Sequence, residues 1–211
     1  MGLFSSLMGR TKPVQSNLDA LFALPSASIT LQSAAGMTCS GHAGVCFKPP
    51  TGQGFAEMQA EVVTLLDMDG GSGLTKSEDS FGYEWLVVED PDIESLVTRV
   101  HLVNSSLSDA GWGPQLLCSV FGLAQLTTDT TAATGSDDVR EGATVGPGRD
   151  LPSTAYLVYL FKRGTFYPFV PTGHEQRSTE QEFRLRSLVS DDLRVEPDLD
   201  RWFPLWDLPV G

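Results

Sequence analysis

Residues 81–123 constrain the fold more than any other stretch of this chain. They read FGYEWLVVE, then DPDIESLVTRVHLVNSSLSDAG, then WGPQLLCSVFGL. Aromatic and β-branched residues dominate the first and last of these runs, which predicts strands. In the middle run Asp90 is placed as an N-cap and Pro91 at the first helical position. Ile93, Leu96, Val97, Val100, Val103 and Leu107 then recur at three- and four-residue steps, and Gly111 is positioned to end the helix. A helix with one apolar face between two strands points to an α+β domain. With 211 residues, 41% of them hydrophobic, the chain is long enough to bury a core and by default forms one domain.

The same reading extends outward. Ser16 with Asp19 resembles a capping box, and Leu18, Leu21 and Phe22 form a short helical stripe that Pro25 is expected to end. SITLQSA and GVCFKPP are short runs with β-formers, separated by GMTCSGHAG, which predicts a hairpin with a longer loop. Phe55, Met58, Val62, Leu65 and Leu66 predict an amphipathic helix over 54–68, stopped by DGGSG. Residues 127–153 are rich in Thr, Gly, Ser, Asp and Pro and bury too little to offset their ordering entropy, so a mobile insert is expected. TAYLVYL and TFYPFV flank FKRG as a hairpin with Gly164 at positive φ. Ser178 with Gln181, or Thr179 with Glu182, caps a last helix carrying Phe183, Leu188 and Val189. Residues 195–211 hold three prolines among Trp202, Phe203, Leu205 and Trp206. This tail is expected to pack, on its own domain or in a partner's groove.

Taken together, these elements predict a mainly antiparallel sheet of about six strands flanked by helices, a secretion-chaperone or YbjN-like arrangement. The domain would span 15–211, with 1–14 as an amphipathic or flexible leading peptide.

A formal net charge of −13 with only 14 Lys and Arg argues against nucleic-acid binding, which needs a clustered basic face. Residues 57–109 carry twelve acids against Lys76 and Arg99; most are expected to solvate helix faces. No run approaches the roughly 20 apolar residues of a membrane-spanning helix, and no secretory signal is recognised. Three cysteines do not make a disulfide framework, and a reducing, cytoplasmic compartment is expected.

Chemistry-bearing motifs are sparse. Cys39, His42 and Cys46 form C-x2-H-x3-C, three ligands of the kind zinc accepts, but a closed site needs a fourth. Cys46 reads more simply as a small buried hydrophobe. DMDGGSGLTKSE places Asp67, Asp69, Thr75 and Glu78 at EF-hand positions, but Gly71 and Ser72 break the pattern. His42, His101 and His174 are the available histidine bases, none in a nucleophile turn, and no nucleotide or metalloprotease fingerprint occurs. No cofactor and no catalytic residue is expected. Lys162 and Arg163 stand among aromatic residues, a basic hairpin tip able to dock an acidic partner.

Five segments carry a resemblance: MGLFSSLMGRTKPVQSNLDALFALPSA, VCFK, LVNSSLSDAGWGPQLLCSVFG, YLVYLFKRGTFYPF and VEPDLDRWFPLWDLP. Together they are similar to the actinobacterial PspA-associated protein PspAB family. The resemblance implies a cytoplasmic accessory protein of the phage-shock response, with PspA or a co-encoded HtpX-type stress protein as partner. It implies no active site.

It also bears on the first residues. Gly2 and Ser6 fit a myristoylation pattern, which a bacterial protein would not normally use. Leu3, Phe4, Leu7 and Met8 recur at helical steps beside Arg10 and Lys12. Burying these four side chains is worth roughly 6 kcal/mol before ordering costs, enough for weak, reversible contact with PspA or the inner membrane face. Packing on the domain is the competing reading. The expected partner-binding residues are thus Leu3, Phe4, Leu7, Lys162, Arg163, Trp202 and Trp206. The alternative function is a small-ligand or metal-binding regulator.

Overall fold

The computed structural model of the chain describes residues 16–48, 64, 74–126 and 152–210. The leading peptide with Leu3, Phe4 and Leu7, the helix expected over 54–68 (Thr64 apart), Asp67 and Asp69, and nearly all of the insert expected over 127–153 lie outside the described residues.

The fold is a single α+β domain. Six antiparallel strands form one sheet in the order β2-β3-β1-β4-β5-β6: β1 Met37–Phe47, β2 Thr75–Glu78, β3 Glu84–Glu89, β4 Leu116–Gln125, β5 Thr154–Leu160 and β6 Thr165–Phe169. Helices α1 Leu24–Ala35, α2 Ile93–Leu107 and α3 Thr179–Val189 accompany it, with a short ribbon of β7 Pro171–Gly173 and β8 Gln176–Arg177.

Side-chain alternation along each strand divides the interior in two. Ala43, Val45, Leu86, Val88, Phe121 and Leu157 face the helices and pack with Leu31, Leu96, Val100 and Leu185. Their neighbours in sequence, Cys46, Trp85, Val87, Val120, Val158 and Tyr167, form a second core. Among the described residues no helix covers this second face. The C-terminal tail does, through Trp202, Leu205, Trp206, Leu208 and Val210.

The predicted strands β3, β4, β5 and β6 and the predicted helix α2 are present. So is the β5–β6 hairpin, with Gly164 at φ 63°. The start of α2 differs from expectation. Asp92, not Asp90, is the N-cap, its carboxylate accepting from the Ser95 N–H at 2.8 Å, while Asp90 accepts from the Asp92 N–H at 2.9 Å and shapes the approach.

The region before β1 corrects two expectations. Pro25 sits in the first turn of α1 rather than ending a helix, and SITLQSA is helical rather than a strand. Proline lacks the N–H that a first turn leaves unbonded anyway, so it starts the helix at no cost. Leu24, Ala27, Leu31 and Ala35 then fall on one buried stripe. GMTCSGHAG, expected as a loop, is most of β1; its irregularity against β4 between Cys39 and Ala43 absorbs the glycines.

Candidate functional site

The tail crosses the second face of the sheet along a path fixed at both ends. Near β6, the Trp202 ring stacks on Tyr167 at 5.9 Å and its indole N–H donates to the Glu196 carbonyl at 3.0 Å. Arg177 donates to the Trp202 carbonyl at 2.6 Å, and the Tyr167 hydroxyl donates to the Phe203 carbonyl at 2.8 Å. Burial first, and then nearby charge, raises the Tyr167 pKa well above the ordinary value, so the phenol stays a donor. At the far end Val210 lies against Gly44, where an added Cβ would stand 2.7 Å from the Val210 methyl, so only a glycine admits the tail there. Between these anchors the chain contains Pro204 and forms no regular structure.

An apolar cleft of about 610 Å³ opens where this irregular stretch bridges the sheet. Its floor is Cys46, Cys118 and Trp85; Leu117, Leu160 and Tyr167 form one wall and residues 203–206 the other. The β2–β3 turn closes one side with Asp79, Phe81 and Tyr83. The β5–β6 turn and the tail close the opposite side with Lys162, Arg163 and Arg201.

The polar groups of the two sides differ in how far they are committed. The Asp79 carboxylate accepts from the N–H groups of Phe81 and Tyr83, both at 2.9 Å, and from the Trp85 indole at 3.0 Å. Opposite it, Arg163 donates twice to buried Glu196, which also accepts from Thr165 and the Asp198 N–H. Burial pushes the Glu196 carboxyl up, but these hydrogen bonds outweigh it and hold the pKa below the usual range. Arg201 pairs with Asp198 at 3.0 Å in solvent. Lys162 is exposed and has no ion-pair partner among the described residues.

Two aromatic side chains at the mouth are more than half exposed, Phe81 at 60% and Phe203 at 53%. On the floor, Cys46 and Cys118 are direct cross-strand partners, both free thiols. The hydrogen bond between them, and then burial, drives the Cys46 pKa far above the ordinary thiol value, which favours the protonated thiol.

The structure sorts the candidates read from sequence. Lys162, Arg163 and Trp206 come together at the cleft. Trp202, expected to be available to a partner, is only 6% exposed and is spent on the domain's own second core. Cys39, His42 and Cys46 do not meet: they are strung along β1, and the two cysteines pair with Leu123 and Cys118 of β4, five residues or about 16 Å apart at a strand's rise of about 3.3 Å per residue. Cys39 packs against the helix-side core and Cys46 belongs to the tail-side core. No group of three or more His, Cys, Asp or Glu able to hold a metal ion occurs among the described residues. Thr75 and Glu78 of the EF-hand-like run belong to β2. His42 approaches Glu89 at 3.7 Å and His101 packs on Phe22 at 4.9 Å; neither lines the cleft, nor does His174 in the β7–β8 turn.

Phe81, Tyr83, Arg201 and Phe203 were not distinguishable as site residues by sequence. Their only signal was position, aromatics beside a glycine turn and an aromatic in a proline-broken tail.

No helix among the described residues is long and apolar enough to cross a membrane. No curated protein and no solved structure matches the chain. The family model of PspA associated protein B, PspAB, matches residues 1–210, and with essentially its whole length covered the chain belongs to the PspAB family.

Proposed function

We propose that this chain is a non-enzymatic accessory protein of the PspA envelope-stress response, an adaptor that works through protein contacts made at the mouth of the cleft. The observation that carries this reading is the pair of half-exposed aromatics, Phe81 and Phe203, flanking an apolar cleft with Lys162, which has no ion-pair partner among the described residues, on its lip. Large apolar side chains held at a surface by a rigid frame are characteristic of interaction sites. The uncommitted lysine suits an acidic flank on the partner. A binding role rather than a catalytic one is supported by the chemistry of the lining: the Asp79 carboxylate is already engaged by three donors, the Cys46 thiol is held protonated, and no histidine lines the walls.

Calorimetric titration of the full chain with PspA tests the proposal. Saturable binding is expected, weakened by about 2 kcal/mol in Phe203→Ala and weakened also in Lys162→Glu, with circular dichroism confirming that both variants fold. Absence of binding, or binding indifferent to both substitutions, would overturn it.

A further inference from the structure

We infer that the cleft is also a ligand site, and that its ligand is a single-chain amphiphile with an anionic head, a long-chain carboxylate. This goes beyond the PspA contact and needs only that the cleft binds something, whatever docks at its mouth.

Three features lead there. The first is size: about 610 Å³ lies within the range of small-molecule clefts, roughly 300 to 1,000 Å³. It suits one acyl chain rather than the two of a phospholipid. The second is lining. Trp85, Leu117, Cys118, Leu160 and Trp206 offer a predominantly apolar surface, and the Trp85 indole N–H is already committed to Asp79. The third is charge polarity across the opening. Asp79 stands on the β3 side and Lys162 follows β5, three strand spacings away, about 14 Å. Asp79 repels an anion from one side. Lys162, with Arg163 and Arg201 beside it, attracts one to the other. A carboxylate head is therefore expected at the β5–β6 turn, with its chain lying over the cysteine floor. The arginines are already paired with Glu196 and Asp198, so Lys162 is the residue on which head selectivity turns.

The test is calorimetry and tryptophan fluorescence on the full chain with dodecanoate, kept below micelle formation. The comparisons are dodecyltrimethylammonium, with the same chain and the opposite charge, and phosphatidylglycerol vesicles. One-to-one dodecanoate binding is expected, with a change in the emission of the tryptophans Trp85 and Trp206 that line the cleft. The cationic amphiphile should bind about tenfold more weakly or not at all. Lys162→Glu should reverse that preference, and Leu160→Trp should fill the cleft and abolish binding. If Leu160→Trp fails to fold, the surface variant Lys162→Glu still decides.

Equal affinity for both head groups, several chains bound per molecule, binding to vesicles alone, or no binding would each overturn the inference. So would dodecanoate binding that is absent from the full chain and appears only on deletion of residues 1–14, since the cleft would then belong to that peptide. Binding of PspA without dodecanoate sinks this inference alone; binding of dodecanoate without PspA sinks the adaptor reading alone.

Discussion

Glu196 is wholly buried yet remains ionised, because Arg163, Thr165 and the Asp198 N–H direct donors at its carboxylate. An isolated buried charge would be costly, whereas one with this many charge-assisted bonds is tolerated and orients what surrounds it. Its main chain works too, accepting from the Trp202 indole and pairing with Phe166 beside β6. Replacing Glu196 with glutamine should destabilise the fold by about 2 kcal/mol, read from urea unfolding. The pH dependence has a definite sign. Because the folded-state pKa is lowered, the carboxylate's contribution is present above its unfolded value of about 4.3 and is lost as pH falls through the folded value. The stability gap between the native chain and Glu196→Gln should therefore hold steady at neutral pH and narrow under acid. A gap that does not change with acidification would show that the charge is not what Arg163 and Thr165 hold.

At the scale of elements, helix α2 offers a direct test of local structure, since both Asp90 and Asp92 could have opened it. Asp92→Ala should cost about 1 kcal/mol in thermal or urea unfolding, because its carboxylate caps the Ser95 N–H. A neutral effect would move the cap elsewhere. This case also shows what the sequence could convey. Strands β3 to β6 were legible because both of their faces are buried, which gives near-continuous runs of β-branched and aromatic residues, and helix α2 because its one buried stripe recurs at three- and four-residue steps. Helix α1 was not, since its β-branched Ile29 and Thr30 and the ambiguous Pro25 mimic a strand after a break, and only packing against β1 and α3 settles the matter. Strand β2, Thr75–Glu78, is exposed and polar, with no period to read; it exists because β3 offers it an edge. From sequence, Lys162 and Arg163 read as one basic hairpin tip and Trp206 as part of an apolar tail. The cleft that unites them was not legible, because it is assembled from the end of β1, the β2–β3 turn, the start of β4, the β5–β6 turn and the tail, segments joined only by the sheet order.

At the scale of the whole molecule, one asymmetry organises the architecture. The sheet has two apolar faces: among the described residues α1, α2 and α3 accompany one, and a proline-broken tail, pinned by Trp202 and Val210, covers the other and leaves a cleft. The proposed contact surface lies where regular structure gives out, with the exposed aromatics and Lys162, which pairs with no described residue, around the opening. The most direct test is hydrogen–deuterium exchange on the full chain, alone and with PspA. Slower exchange is expected, confined to residues 79–85, 160–163 and 201–207, the segments that frame the cleft. Protection by PspA elsewhere on the surface, with these three segments exchanging as in the free protein, would contradict the adaptor reading.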